Sequence, residues 1–353
     1  MGEPQILTGG ARLAGSAAAT AIALIGAAWI ILDLYEADHP ARLWRSWAGL
    51  AHGAQNPLYS DLTDLVLFLT CAAVAVTVIR SPSATSSLVA AGLLAVAVRT
   101  PSIWLLTDEP RFGAFALRER ALASAAVTVG LGLVLLMLAA FGRRPPGERT
   151  AHPAAFGEDA EPLRPLLGAA VTTLLVLGSA AVAGIAWEID RARRLGWDLY
   201  QHHLTGTGSG SVVAGPATAP GAAAGPSTLL TPLSPPPSWL PWCTALLALA
   251  AVVAAMQRAS FARALGMTAA TVYVVYGAMG VHWVMEGHAL RMFAELSVRS
   301  QLGILTPFWY VLAGLGTLIV LCFGYERRYG AWAPAGGGAY GPPPPPSPAP
   351  PGW

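Results

Sequence analysis

Eight runs of apolar residues, each near or above the roughly 18 that a helix needs to cross a bilayer, constrain this chain more than any other feature. They cover 13–35, 62–79, 86–106, 121–141, 166–187, 239–256, 264–284 and 303–324. Inside hydrocarbon every backbone N–H and C=O must be satisfied within the chain, and segments of this length do so as helices. With 54% of its 353 residues hydrophobic and 11% charged, the sequence reads as an all-α polytopic membrane helical bundle whose first partner is the lipid bilayer. The run at 13–35 follows a single Arg12 and exceeds the roughly 7–15 apolar residues of a signal-peptide core, so it reads as a retained anchor helix.

Composition excludes several classes of chemistry. The formal charge is +2, too small for the basic face that nucleic acid requires. Every basic residue is Arg; the absence of Lys removes a Schiff base, a catalytic amine and the P-loop lysine, and nucleotide with it. Cys71, Cys243 and Cys322 all fall in spans and form no CxxC pair, so they read as packing residues. His282 and Glu286 have i, i+4 spacing, but His288 lies six residues from His282 and points to another face. Further ligands would have to come from His202, His203 or His39, so no metal is assigned. Haem between spans needs two buried histidines, and only His282 falls in a span. No Ser/His/Asp or Cys/His arrangement is present, the other histidines being placed in loops, so no catalytic residue and no cofactor are assigned. A single Asn56 among abundant Ala, Gly, Pro and Arg suggests a GC-rich bacterial genome and hence the cytoplasmic membrane.

Landmarks in the two halves recur. Arg80 matches Arg258, Trp104 matches Trp283 and Arg120 matches Arg299 at offsets of 178–179; Asp33 matches Glu188 at 155; Gly130 and Gly132 match Gly314 and Gly316. The division expected is a first four-helix half over 1–142, a polar linker over 143–164, a second four-helix half over 165–328 and a disordered Pro-rich tail over 329–353. The second half carries a Gly/Ser/Thr/Pro-rich insert over 205–237. An even number of spans per half gives parallel repeats related by an axis along the membrane normal.

Two subsidiary signs place both termini in the cytoplasm. The short connections after the second and sixth spans carry Arg and no acid, whereas the loops after spans one, three, five and seven are longer and mix both signs. Those longer loops contain candidate interfacial helices: 40–53, with Leu43, Trp44, Trp47 and Leu50 on one face, and 288–302, with Arg291, Glu295 and Arg299 four residues apart. Trp44, Trp47, Trp104 and Trp283 read as interfacial anchors.

In this topology Asp33, Asp64, Arg99, Glu188 and His282 all fall within about two turns of the extracytoplasmic ends of their spans. Arg99 is the critical one, because an arginine inside a span costs a few kcal/mol unless it snorkels or meets a carboxylate. Asp64, on the preceding span, can supply that carboxylate, while Pro101 frees a carbonyl that needs a partner. The expectation is a non-catalytic protein that binds or passes a small solute, or senses the envelope, through an outer polar pocket of these five residues. A structural bridge between Arg99 and Asp64 with no ligand is the plainer alternative. A membrane-embedded enzyme on a lipid or isoprenoid substrate is another. The third is a scaffold that recruits a cytoplasmic partner through its Pro-rich tail.

Overall fold

The computed structural model describes residues 6–47, 58–80, 84–107, 117–144, 166–206, 233–259 and 261–324. Eight helices among them are long and apolar enough to cross a membrane, which makes the chain a multi-pass membrane protein. They are α1 (Gly9–Glu36), α3 (Leu62–Arg80), α4 (Ala84–Thr107), α5 (Arg118–Phe141), α6 (Leu167–Leu195), α8 (Trp239–Met256), α9 (Ala262–Glu286) and α10 (Val298–Phe323). Two short helices, α2 (Pro40–Trp47) and α7 (Trp197–Thr205), and a 3-10 turn at Ala289–Glu295 lie between them. The linker beyond Arg144, most of the 205–237 insert, the Pro-rich tail and the 48–53 end of the first amphipathic segment fall outside the described residues.

The bundle turns the usual size gradient of a soluble core outward. Ala19, Ala91, Ala95, Ala180, Ala248 and Ala269 are buried between helices, whereas Leu13, Leu24, Val76, Met137, Leu175 and Ile319 are exposed on its flanks. Small residues let helix backbones approach where lipid supplies no hydrophobic drive for association, and long apolar side chains suit a lipid-facing surface.

Two groups of four helices form. In the first, α1 packs on α3, α3 on α4, α4 on α5, and α5 returns to α1; in the second, α6, α8, α9 and α10 close in the same cyclic order. The groups meet chiefly through α4 and α9, with α3 against α9 beside them. Several contacts recur in both. Trp29 donates its indole N–H to Ser124 Oγ at 3.0 Å, and Trp187 donates to Thr306 Oγ1 at 2.9 Å. The Thr8 N–H reaches the Gly142 carbonyl at 2.9 Å, and the Leu166 N–H reaches that of Gly324 at 3.0 Å. Beside the first of these, β1 (Ile6–Leu7) pairs antiparallel with β2 (Arg143–Arg144).

Helix ends follow local chemistry. Thr8 caps α1 through the Ala11 N–H, and Ser297 caps α10 through that of Ser300. α6 runs eight residues past the apolar run that ends at Trp187. Glu188 with Arg191 and Asp190 with Arg194 extend it as i, i+3 and i, i+4 pairs, and Gly196 at φ +76° ends it. The expected interfacial helix at 288–302 is instead the 3-10 turn followed by the start of α10. Arg299 therefore belongs to a spanning helix, where it pairs with Asp190 across to α6.

Glycine pairs behave unequally. A Cβ on Gly92 would stand 2.8 Å from the Gly132 carbonyl oxygen, and one on Gly314 2.6 Å from that of Ala270, whereas Gly130 faces open space. Gly92→Leu is expected to wedge α4 from α5 and destabilise the bundle by about 1–3 kcal/mol or more. Gly130→Leu should change little, and unfolding titrations in mixed micelles compare the two directly.

Candidate functional site

The site begins at the N-terminus of α3, where Asp61 precedes the first helical residue. Asp61 Oδ1 accepts from the backbone N–H groups of Thr63 at 2.8 Å and Asp64 at 3.3 Å, while Asp64 Oδ2 accepts from the Asp61 N–H at 3.0 Å. This reciprocal cap satisfies orphan donors of the helix end and fixes the Asp64 carboxylate. Its other oxygen, Oδ1, forms an ion pair with the Arg99 guanidinium of α4, and both side chains are fully withdrawn from solvent. A paired guanidinium is tolerable at this depth only if its remaining donors also find acceptors.

They find one in the peptide segment at 233–238, an irregular strap leading into α8. Arg99 donates to the Leu233 carbonyl at 2.8 Å, and the Ser102 hydroxyl donates to the same oxygen at 3.1 Å. The next residue, Ser234, donates its hydroxyl to Asp61 Oδ2 at 2.5 Å. The Leu233 side chain is fully buried in an apolar cluster with Trp29, Leu106, Ala121 and Ala125. Non-helical backbone at membrane depth survives only when buried in protein in this way.

Pro101 explains a further contact. Proline has no N–H, so the helical bond to the carbonyl four residues back is missing. That carbonyl belongs to Ala97, and the Trp239 indole N–H, at the start of α8, donates to it at 2.7 Å. Trp104, one turn on, meets Trp239 edge-on at 5.5 Å and donates its own indole N–H to the Thr205 carbonyl at the end of α7. The one helical bond that Pro101 removes is thus replaced from the other four-helix group.

The five residues expected at a common mouth lie at one end of the bundle but in three places. Asp33 adjoins the Arg99 centre: it is buried and accepts from the Tyr59 N–H at 3.0 Å and the Ser60 N–H at 2.5 Å, fixing the entry to α3. Glu188 heads a second cluster, with Arg191 at 2.7 Å and the Tyr200 hydroxyl, itself bonded by Trp242, at 3.2 Å. Arg191 also reaches Ser238 Oγ at 3.3 Å, so the strap touches the Arg99 centre at one end and the Glu188 cluster at the other. Burial pushes the Tyr200 hydroxyl above its ordinary pKa, and burial with nearby Arg191 and His202 pushes His203 below its own. Tyr200 is therefore held as a donor.

His282 stands apart. It is half-exposed, pairs with Glu286 at 3.2 Å and meets Trp44 edge-on at 6.0 Å in a surface groove with Arg45 and Met285. It is not the buried histidine that a pocket or haem would use. His202 and His203 sit on the helix α7 rather than in a loop, and no group of three or more His, Cys, Asp or Glu among the described residues is placed to hold a metal. Of the four tryptophans, Trp44 flanks His282, Trp47 packs near Leu43 and Leu58, Trp104 joins the two helix groups and Trp283 is half-buried.

Asp61, Ser102, Leu233, Ser234 and Trp239 complete the centre without having been marked by the sequence. Asp61 had a readable signal, the Asp-Leu-Thr-Asp cap directly before an apolar run. Leu233 and Ser234 had none, since they lie in a low-complexity run whose composition matches a surface loop. No family model, no curated protein and no solved structure matches this chain.

Proposed function

We propose that the protein is a non-catalytic component of the cytoplasmic membrane that binds or passes a small solute through the polar centre around Arg99. The observation that carries this reading is the strap. A buried guanidinium and a carboxylate from one helix group are completed by irregular backbone leading into the other, so the polar groups line a space that chain fills rather than a sealed helix contact. Discontinuous backbone at membrane depth is where transporters of repeated architecture place their sites.

The recurring contacts support two copies of a four-helix unit related by an axis along the membrane normal. Trp29 and Trp187 are 158 apart and Ser124 and Thr306 are 182 apart; the close approaches pair Gly132 with Gly314, two residues off the sequence match of Gly130 with Gly314. At 158, the residue opposite Asp33 is Arg191, one helical turn beyond the Glu188 expected from the sequence. With both termini cytoplasmic, the Arg99 centre lies in the outer leaflet.

The test compares wild-type protein in lipid nanodiscs with Arg99→Leu/Asp64→Asn, which removes both partners of the ion pair. A library of polar solutes should contain one that raises the melting temperature of the wild type, since ligand binding to the folded state stabilises it, and leaves the double variant unmoved. Equal shifts in both proteins, or none in the wild type, would contradict the reading.

A further inference from the structure

The strap describes what the centre recognises. Resting on the solute reading above, we propose that the Leu233–Ser234 segment is a built-in occupant and that the ligand class is a short extended peptide. The segment pairs a branched apolar residue with a following residue that carries a hydroxyl or amine.

Three features of the strap are matched by three parts of the site. The Leu233 carbonyl receives two donors, Arg99 at 2.8 Å and Ser102 at 3.1 Å. Ser234 donates to Asp61 Oδ2, the carboxylate oxygen that the helix cap leaves available. The Leu233 side chain fills an apolar recess walled by Trp29, Leu106 and Ala121. If the strap withdraws, the guanidinium, the Ser102 hydroxyl and Asp61 Oδ2 lose partners together while buried, which is costly until another molecule restores them. The replacement must present an acceptor, a donor one residue further on and an apolar branch, in the arrangement of a peptide.

Charge sharpens the class. Asp64 pairs with the guanidinium, whereas Asp61 Oδ2 meets the neutral Ser234 hydroxyl. An ammonium in place of that hydroxyl would give the Asp61 carboxylate a charged partner, and charge-assisted hydrogen bonds exceed neutral ones in strength. The strap's other anchors do not depend on this occupancy: Ser238 bonds to Arg191 and to the His203 carbonyl, and Trp239 to Ala97. The segment can leave the recess while α8 stays in place.

The experiment measures binding of acetyl-Leu-Ser-Pro-amide to full-length protein in nanodiscs, wild type against Leu233→Ala/Ser234→Ala. Because the built-in segment competes, the peptide should bind the double variant at least tenfold more tightly than the wild type. Placing alanine at either the leucine or the serine of the peptide should weaken binding at least tenfold, and diaminopropionic acid at the serine should strengthen it. Ser234→Ala alone, which retains the Leu233 side chain, repeats the comparison should the double variant fold poorly. Equal affinity for wild type and variant, indifference to the two alanine peptides, or no binding would overturn the peptide assignment. The solute reading falls separately, by equal solute stabilisation of the wild type and the Arg99→Leu/Asp64→Asn protein.

Discussion

Arg99→Leu is expected to destabilise the bundle by about 3–5 kcal/mol, the cost of leaving a buried carboxylate without its counter-charge. Asp64 is fully buried and its Oδ2 is committed to the cap of α3, so it cannot turn toward water when the guanidinium disappears. The leucine also strips a donor from the Leu233 carbonyl, leaving Ser102 as its remaining partner. Asp64→Asn in the same chain should recover much of the loss, because the amide oxygen can still accept from the Asp61 N–H while the isolated charge is gone. A double-mutant cycle read by denaturant unfolding in micelles should therefore give a coupling energy of about 2–3 kcal/mol. Additive effects would mean that the two residues do not act as a pair.

Leu233→Ala is expected to release the strap rather than unfold the bundle. Truncating a buried leucine costs about 2–5 kcal/mol, and here the cost falls on the docking of six residues that contribute to no helix. At the lower end this raises the undocked fraction about thirtyfold, a local opening of the kind that precedes global unfolding. Global melting should move by less than this local change, because α4, α8 and their Trp239–Ala97 bond are untouched. Hydrogen exchange at the Ser238 N–H, bonded to the His203 carbonyl beyond the released residues, should stay slow, whereas access to Ser102, which loses the Leu233 carbonyl, should report the release.

The architecture was legible because hydrocarbon admits few solutions. Apolar runs of spanning length fixed the eight helices, and the largest departures from the hydropathy pattern were the charged extension of α6 and the early start of α10. Those two departures share a cause: Asp190 and Arg299 join the helices beyond the apolar core through an ion pair, which a hydropathy reading treats as loop. The Arg99–Asp64 pair was foreseeable from one arginine and one nearby acid on consecutive spans. The partner of the carbonyl freed by Pro101 was not, because Trp239 lies 142 residues from Ala97 and nothing local links them. His282 misled because its place in a span implies burial, whereas its helix ends at the surface beside α2. Leu233 was hidden for the opposite reason: an apolar residue in a Pro-rich run gives no periodicity, yet tertiary contacts bury it completely.

Access to Ser102 tests the central claim most directly. In a background where Cys71, Cys243 and Cys322 are replaced by alanine, Ser102→Cys, placed beside the Leu233 carbonyl, is treated with a membrane-impermeant maleimide in right-side-out and inverted vesicles, with and without Leu233→Ala. Labelling should be slow with the strap docked, at least tenfold faster with Leu233→Ala, and confined to right-side-out vesicles. Equal rates with and without the strap's leucine, or labelling from the cytoplasmic face, would contradict a strap-closed centre in the outer leaflet.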